Sequence, residues 1–256
     1  MIPPSFFSFT TDDETAPSIS CAKEETQEAD ISLDIDYTEW YSNFASLTLL
    51  LSPGGERAEG SGLGAGFRMD NRSNILSCAL RLFATRGYDA VGVQEIVEAA
   101  GITKPTLYHY FGSKQGLLDA LLKESFAPLY REVKSASVYR SDLPLTLHQM
   151  AKAHFDFANR NKMFYRLQLA LWFAPPESDA FKAVSRLNHE LYQLTEEVFM
   201  RAAVDHGNMK GRHRAYAATF VGMINNYIAL SLNGYARLDD QLLYQAVHQF
   251  MHGIFS

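Results

Sequence analysis

Three observations predict an all-α protein. From Asp70 onward, apolar residues recur at the 3.6-residue helical period, and no stretch alternates with a period of two. The interruptions fall on Gly, Asn and Pro, the residues that stop helices. Hydrophobic residues make up 47% and charged residues 20% of the 256, enough apolar material for a real core.

The front of the chain differs. Residues 1–68 hold 12 acidic and 3 basic side chains, whereas residues 69–256 hold 17 and 20, so the formal charge of −6 is concentrated in the first quarter. Residues 1–36 mix Ser, Thr, Asp, Glu and Pro without periodicity, and such a segment buries too little to offset its ordering entropy. Residues 37–51 could form one short helix or strand. The run from Pro53 to Gly66 reads as a Gly-rich linker. Residues 1–68 are therefore expected to be an acidic, disordered extension with a linker. Met69 opens a segment of different character, and translation beginning there would produce the periodic part alone.

The elements follow in order. Leu76, Ala79, Leu80 and Phe83 mark a first helix, with Ile75 and Leu82 widening its stripe, and Gly87 stops it. Val93, Ile96, Val97 and Ala100 mark a second, short helix ended by Gly101. Thr103 stands at the cap of a third, with Pro105 in its first turn, where the missing N–H costs nothing. Leu107 and Phe111, four apart, point that helix's apolar side inward. Gly112 breaks it, and Ser113 caps a fourth with apolar face Leu117, Leu118, Leu121 and Leu122. Further helices are expected over roughly 142–159, 162–173, 177–207, 210–233 and 239–255.

Two short helices joined by a tight Gly turn, the second exposing polar and aromatic side chains, form a helix-turn-helix. The stretch from Gly101 to Gln115 contains no Asp or Glu. Lys104 and Lys114 can neutralise phosphate charge, and Thr106, Tyr108, His109 and Tyr110 add polar groups on the same short segment. Lys104 and Thr106 could also touch base edges in the major groove. Tyr108, Tyr110 and Phe111 could instead be ordinary packing residues. For Phe111 and Leu107 packing is the reading adopted, for Tyr110 both stay open, and Tyr108 is assigned to the DNA side. Lys114 could be a plain surface lysine, and its place at the start of the next helix favours a phosphate role.

Residues 72–118, and above all the run TKPTLYHYFGSKQGLL from Thr103 to Leu118, resemble the DNA-binding domain of TetR-family transcriptional regulators. The resemblance implies a homodimer on a palindromic operator and a larger C-terminal helical domain that holds a small effector. It places Thr103, Lys104, Pro105, Thr106 and Tyr108 near bases or phosphates, and His109, Tyr110 and Lys114 at the DNA backbone. The sequence departs from the family at Gly92, where the second helix usually begins with Thr or Ser; a hydroxyl cap and a phosphate contact are missing there.

The resulting division is an extension at 1–68, a helix-turn-helix domain at 69–116, and an effector-binding and dimerisation domain at 117–256. Within the last, Phe155, Phe164, Gln168, Trp172, Tyr192, Asn226 and Tyr227 are candidate walls of a largely apolar ligand pocket, each of which could equally be core. Ala217, Val221, Ile224 and Ile228, with Leu243, Val247, Phe250 and Ile254, are candidate dimer-interface residues on the last two helices. His248 and His252 have metal-binding spacing but no third ligand nearby in sequence, so no metal and no cofactor is expected. Cys21 and Cys78 are too few for a disulfide framework. With no signal peptide and no run long enough to span a bilayer, a cytoplasmic location is expected.

The leading functional reading is a DNA-binding transcriptional repressor released by a small, apolar effector. No G-x-S-x-G, H-E-x-x-H or post-strand G-x-G-x-x-G is present, which disfavours an enzyme. A pure interaction module, with the acidic extension masking the basic head, is the remaining alternative.

Overall fold

A computed structural model describes residues 71–253. The sequence expectations for residues 1–68, and the interface assignment of Ile254, lie outside them. The described residues are helical, with no strand among them.

Helix α1 (Asn71–Arg86) buries Ile75, Ala79 and Phe83, a spine spaced by four. Leu76, Leu80 and Leu82 flank it, half-buried, so the centre of the stripe lies one residue earlier than the pattern suggested. Helix α2 (Val93–Ala100) ends at Gly101, whose φ of +65° is the left-handed conformation that a side chain disfavours. Its amide bonds Glu98 O at 3.2 Å, and Ile102 N–H bonds Val97 O at 3.0 Å, turning the chain at once into α3 (Lys104–Phe111).

Helix α4 (Lys114–Ala136) starts with the expected cap: Ser113 Oγ accepts the Gly116 N–H at 2.9 Å. A Cβ on Gly116 would lie 2.1 Å from the Phe111 carbonyl oxygen, so only glycine lets the end of α3 abut the first turn of α4 this closely. Leu117, Leu118, Leu121 and Leu122 are all buried, as their spacing required. The sequence boundary at 116/117 falls inside α4, so one continuous helix runs through it.

Behind α4 come α5 (Leu143–Arg160), α6 (Lys162–Trp172), α7 (Asp179–Asp205), α8 (His213–Leu232) and α9 (Asp240–His252). Asp142, Ser178 and Asp239 cap α5, α7 and α9 through their side chains. The seventh helix stops two residues short of expectation, and a 3-10 turn, Gly207–Met209, leads into α8.

Helix α2 packs on α1 and α3, and α1 and α3 pack on α4, forming a head. Helix α4 also packs on α5 and α7, α7 on α8, and α9 on α5, making the body. Helix α6 touches α1 of the head as well as α7 and α8 of the body. One apolar cluster runs from Ile75 to Val247 through both parts. Arg72 of α1 and Glu124 of α4 add a half-exposed ion pair across the same junction.

Candidate nucleic-acid interface

The head owes its geometry to α3 being pinned from below. Leu107 is 0% exposed and Phe111 is half-buried against the core. On the opposite side Thr103, Lys104, Pro105, Tyr108, His109 and Tyr110 are exposed and Thr106 is half-buried. Tyr108 is 45% and Tyr110 37% exposed, large fractions for aromatic side chains that could otherwise have packed. The His109 and Tyr110 rings meet edge-to-face at 5.5 Å, and Tyr110 tilts against Phe111 at 6.1 Å. An outward row of aromatics thus rests on an inward one.

Thr103 begins α3 with extended backbone, but its side chain does not cap the helix. Its hydroxyl shares a hydrogen bond with that of Thr106, 2.9 Å away. The amides of Lys104 and Thr106 lie ahead of the first i→i−4 bond, and Pro105 has no N–H, so the first turn presents two donors beside a lysine. Donors at a helix N-terminus with a nearby cation suit a phosphate oxygen.

Lys114 is less free than its position in the motif suggested. It is half-buried, and its ammonium lies 4.2 Å from the centroid of the Tyr88 ring. Burial pulls its pKa down, while the carboxylates of Asp89 and Glu95 push it back up. The same Glu95 supplies the other half of a capping box, at the amide of Gly92 itself. Its Oε1 accepts the Gly92 N–H at 3.0 Å, while Oε2 pairs with Arg86. The backbone hydrogen bond is the main reason the Glu95 carboxyl is held below its usual pKa, with Arg86 adding to it. The Gly92 amide is therefore satisfied, while the first-turn amides of α2 receive no side-chain cap and the phosphate-binding hydroxyl is absent.

The structure scatters the seven candidate pocket residues. Phe155 and Phe164 are core, 2% exposed each, and Phe164 meets Phe157 edge-to-face. Gln168, Trp172 and Tyr192 lie along the contact of α6 with α7. Asn226 and Tyr227 line a groove of about 850 Å³ between α8, α9 and the ends of α5 and α7, with Met209, Met223 and Phe250 among its other walls. No single chamber contains all seven, because neighbouring turns of α6, α7 and α8 face different partners.

Most of the dimer-interface candidates are covered within the single chain. Ala217, Val221, Ile224, Ile228, Leu243 and Val247 are each no more than 6% exposed within the single chain, so their apolar faces are spent on α8 and α9 packing against the body. Only Phe250, half-buried on the groove wall, is accessible among the described members of that set. The outward faces carry Ala218, Thr219, Gly222 and Asn226 on α8, and Tyr244, Gln245 and His248 on α9. Sequence periodicity found the stripe but could not say that the chain itself covers it. The rings of His248 and His252 lie 4.5 Å apart, and no group of three or more metal-ligand side chains occurs among the described residues.

Two residues of the head had no assigned role in the sequence reading: Gly116, whose motif position gave a hint, and Glu124, which pairs with Arg72 across 52 positions without a local signal. Among the described residues no helix is long and apolar enough to cross a membrane.

Known proteins bear directly on this arrangement. Residues 75–121 match the family model for bacterial regulatory proteins of the tetR family. The chain is 34% identical over 116 residues to the HTH-type transcriptional activator FasR of Mycolicibacterium smegmatis, covering 44% of this chain and 53% of that protein. It is 28% identical over 142 residues to the HTH-type transcriptional repressor KstR2 of Rhodococcus jostii, covering 54% of this chain and 68% of that one. The match thus spans about half the length of the first of these relatives. The fold is similar to that of the TetR-family regulator PfmR from Thermus thermophilus, with a TM-score of 0.58 at 23% identity, covering 71% of this chain and 99% of that one. The head is thus matched in sequence by the tetR family of bacterial regulatory proteins, and the helical body is similar in fold to a TetR-family regulator.

Proposed function

We propose that this regulator is a cytoplasmic repressor that binds a palindromic operator as a homodimer and leaves it when a small, largely apolar effector occupies the body. The observation that carries the DNA-binding part is the outer side of α3: exposed, free of carboxylates, and held rigidly by Leu107. Lys104, Pro105, Thr106 and Tyr108 are assigned to base edges and adjacent phosphates, with Thr103 at the helix start. His109, Tyr110 and the half-exposed ammonium of Lys114 are assigned to the DNA backbone.

A lone helix-turn-helix makes few contacts, whereas two on one rigid body add their binding free energies. The outward face of α8 supports pairing, because Ala218 and Gly222 allow a partner helix to approach closely. The groove beside it, walled by Phe250 and Met223, offers that partner an apolar recess. Repression requires only that a bound dimer occupy the promoter, so it asks nothing further of the molecule. One relative bears the name of an activator and another that of a repressor, so the sign of regulation rests on this economy.

Coupling follows from the packing. Residues 69–116 serve as the DNA-binding part and 117–256 as the sensing and pairing part, with α4 shared and α6 touching both. An effector that binds better to a body with differently set α4 and α6 shifts the population toward a head spacing that misses the operator.

Selection of duplexes from a random pool by the purified protein tests this reading. The expected product is a two-fold-symmetric site whose half-sites lie about 10 base pairs apart, or a multiple of that. Enrichment of an asymmetric site would remove the homodimer, and no enrichment at all would remove the DNA-binding roles.

A further inference from the structure

Among the described residues, one buried side-chain polar atom lacks a hydrogen-bond partner: Oε1 of Gln168 on α6, a residue only 4% exposed. The other end of the carboxamide is occupied, since Nε2 donates to Oδ1 of Asn188 on α7 at 2.9 Å. Folded proteins seldom leave a buried acceptor empty, because its desolvation is not recovered.

The surroundings of that acceptor are organised. One helical turn along α6, Trp172 stacks on Phe181 of α7, with centroids 5.4 Å apart and planes 20° from parallel. One turn beyond Asn188 along α7 stands Tyr192, whose phenol is raised in pKa by burial. The pairings Trp172 with Phe181 and Gln168 with Asn188 set α6 and α7 antiparallel. The carboxamide therefore sits between two aromatic stations on one seam. Trp172, Phe181, Asn188 and Tyr192 are all half-buried, so the outer edge of the seam meets the surface.

We infer that the seam between α6 and α7 binds a largely apolar molecule carrying one hydroxyl or N–H donor, which Gln168 Oε1 accepts. This rests on the effector reading above and supplies its site and ligand class. The aromatic stations take the apolar body of the ligand by parting the Trp172–Phe181 stack. The empty acceptor sets the polar requirement, because a ligand offering only acceptors would leave Oε1 unpaired and lose affinity.

The test uses the full chain with Trp40→Phe, which leaves Trp172 as its one tryptophan and a reporter on the seam. The probes are 1-decanol and 1-methoxydecane, which differ in the hydroxyl donor. Trp172 fluorescence should show the alcohol binding about tenfold more tightly than the ether, the size expected of one hydrogen bond. Gln168→Leu, which removes the acceptor and keeps the bulk, should bring the two within about twofold. If that variant does not fold, Gln168→Met provides the same reading. Equal binding of the two probes to the unsubstituted seam would overturn the inference, and so would a preference for the alcohol that survives the loss of Gln168.

Operator release, followed in parallel by fluorescence anisotropy of labelled DNA, separates the two levels. Alcohol-selective binding that leaves DNA affinity unchanged keeps the site and removes its effector role. Release by both probes that is indifferent to Gln168→Leu keeps an effector-responsive repressor and overturns this site.

Discussion

The head and the body are built from the same kind of amphipathic helix, yet their side chains were readable to different depths. In the head, α1 to α3 and the start of α4 lie within some fifty consecutive residues, and apart from the contact of α1 with α6 each apolar stripe meets partners close in sequence. Leu107 had to point inward, which left Lys104 and Tyr108 outside. In the body each helix has several neighbours: α7 touches α4, α6 and α8, and α6 touches α1, α7 and α8. A stripe there announces burial without naming what buries it. Ala217 and Val221 are covered by their own chain, while Ala218 and Gly222, one position along, stay open.

If the head is a rigid platform with a specialised outer surface, surface and stability should separate there. Lys104→Ala combined with Tyr108→Ala should weaken operator binding about a thousandfold, the sum of two contacts of about 2 kcal/mol each, with Tm unchanged. Anisotropy titration beside thermal melting checks both halves. A comparable fall in Tm would mean that these side chains hold the head together.

The body should reveal itself through its buried polar groups. His154, 2% exposed, lies with its Nδ1 3.1 Å from the Tyr165 hydroxyl, which donates to Asn225 Oδ1 at 3.1 Å. Burial lowers the His154 pKa from 6.5 to about 4. The folded state therefore refuses a proton that the unfolded state accepts below pH 6.5. Stability is fully present above that pH and falls as the pH drops from 6.5 toward 4, by about 3 kcal/mol in all. Urea unfolding at pH 7, 6 and 5 should show the decline, and His154→Phe should flatten it. An equally steep decline in the variant would assign the effect to other groups.

A smaller effect probes the joint between the two regions. Gly116→Ala places a methyl group against the Phe111 carbonyl, and the backbone must move to admit it. The expected cost is about 2 kcal/mol of stability. Operator affinity should fall as well, because α3 shifts on α4. Retention of both would show that the end of α3 can relax freely.

Much of the candidate interface was legible because it is local. Gly101, Pro105, Leu107 and Ser113 act on residues within four positions of themselves, and turn chemistry, helix starts and the 3.6 period all operate over that range. Thr103 was legible only in part: its place at the start of α3 was plain, but whether its hydroxyl would bond the helix backbone or Thr106 depended on side-chain geometry. The Lys114 contact with Tyr88 reaches back 26 positions, and no local pattern encodes it.

Helix periods, stops and the acid-free stretch from Gly101 to Gln115 are properties of neighbouring residues, so the chain order alone determined the all-α class and the face of α3. Which helix covers which stripe depends on contacts between distant segments. Only the folded body decided that six expected interface residues would be core, that the expected pocket would be divided between a seam and a groove, and that Gln168 would be buried with half its carboxamide unpaired. The physical reason is that burial of apolar area is non-directional: it rewards any partner of matching shape, and the choice among partners is made by the whole assembly of helices at once.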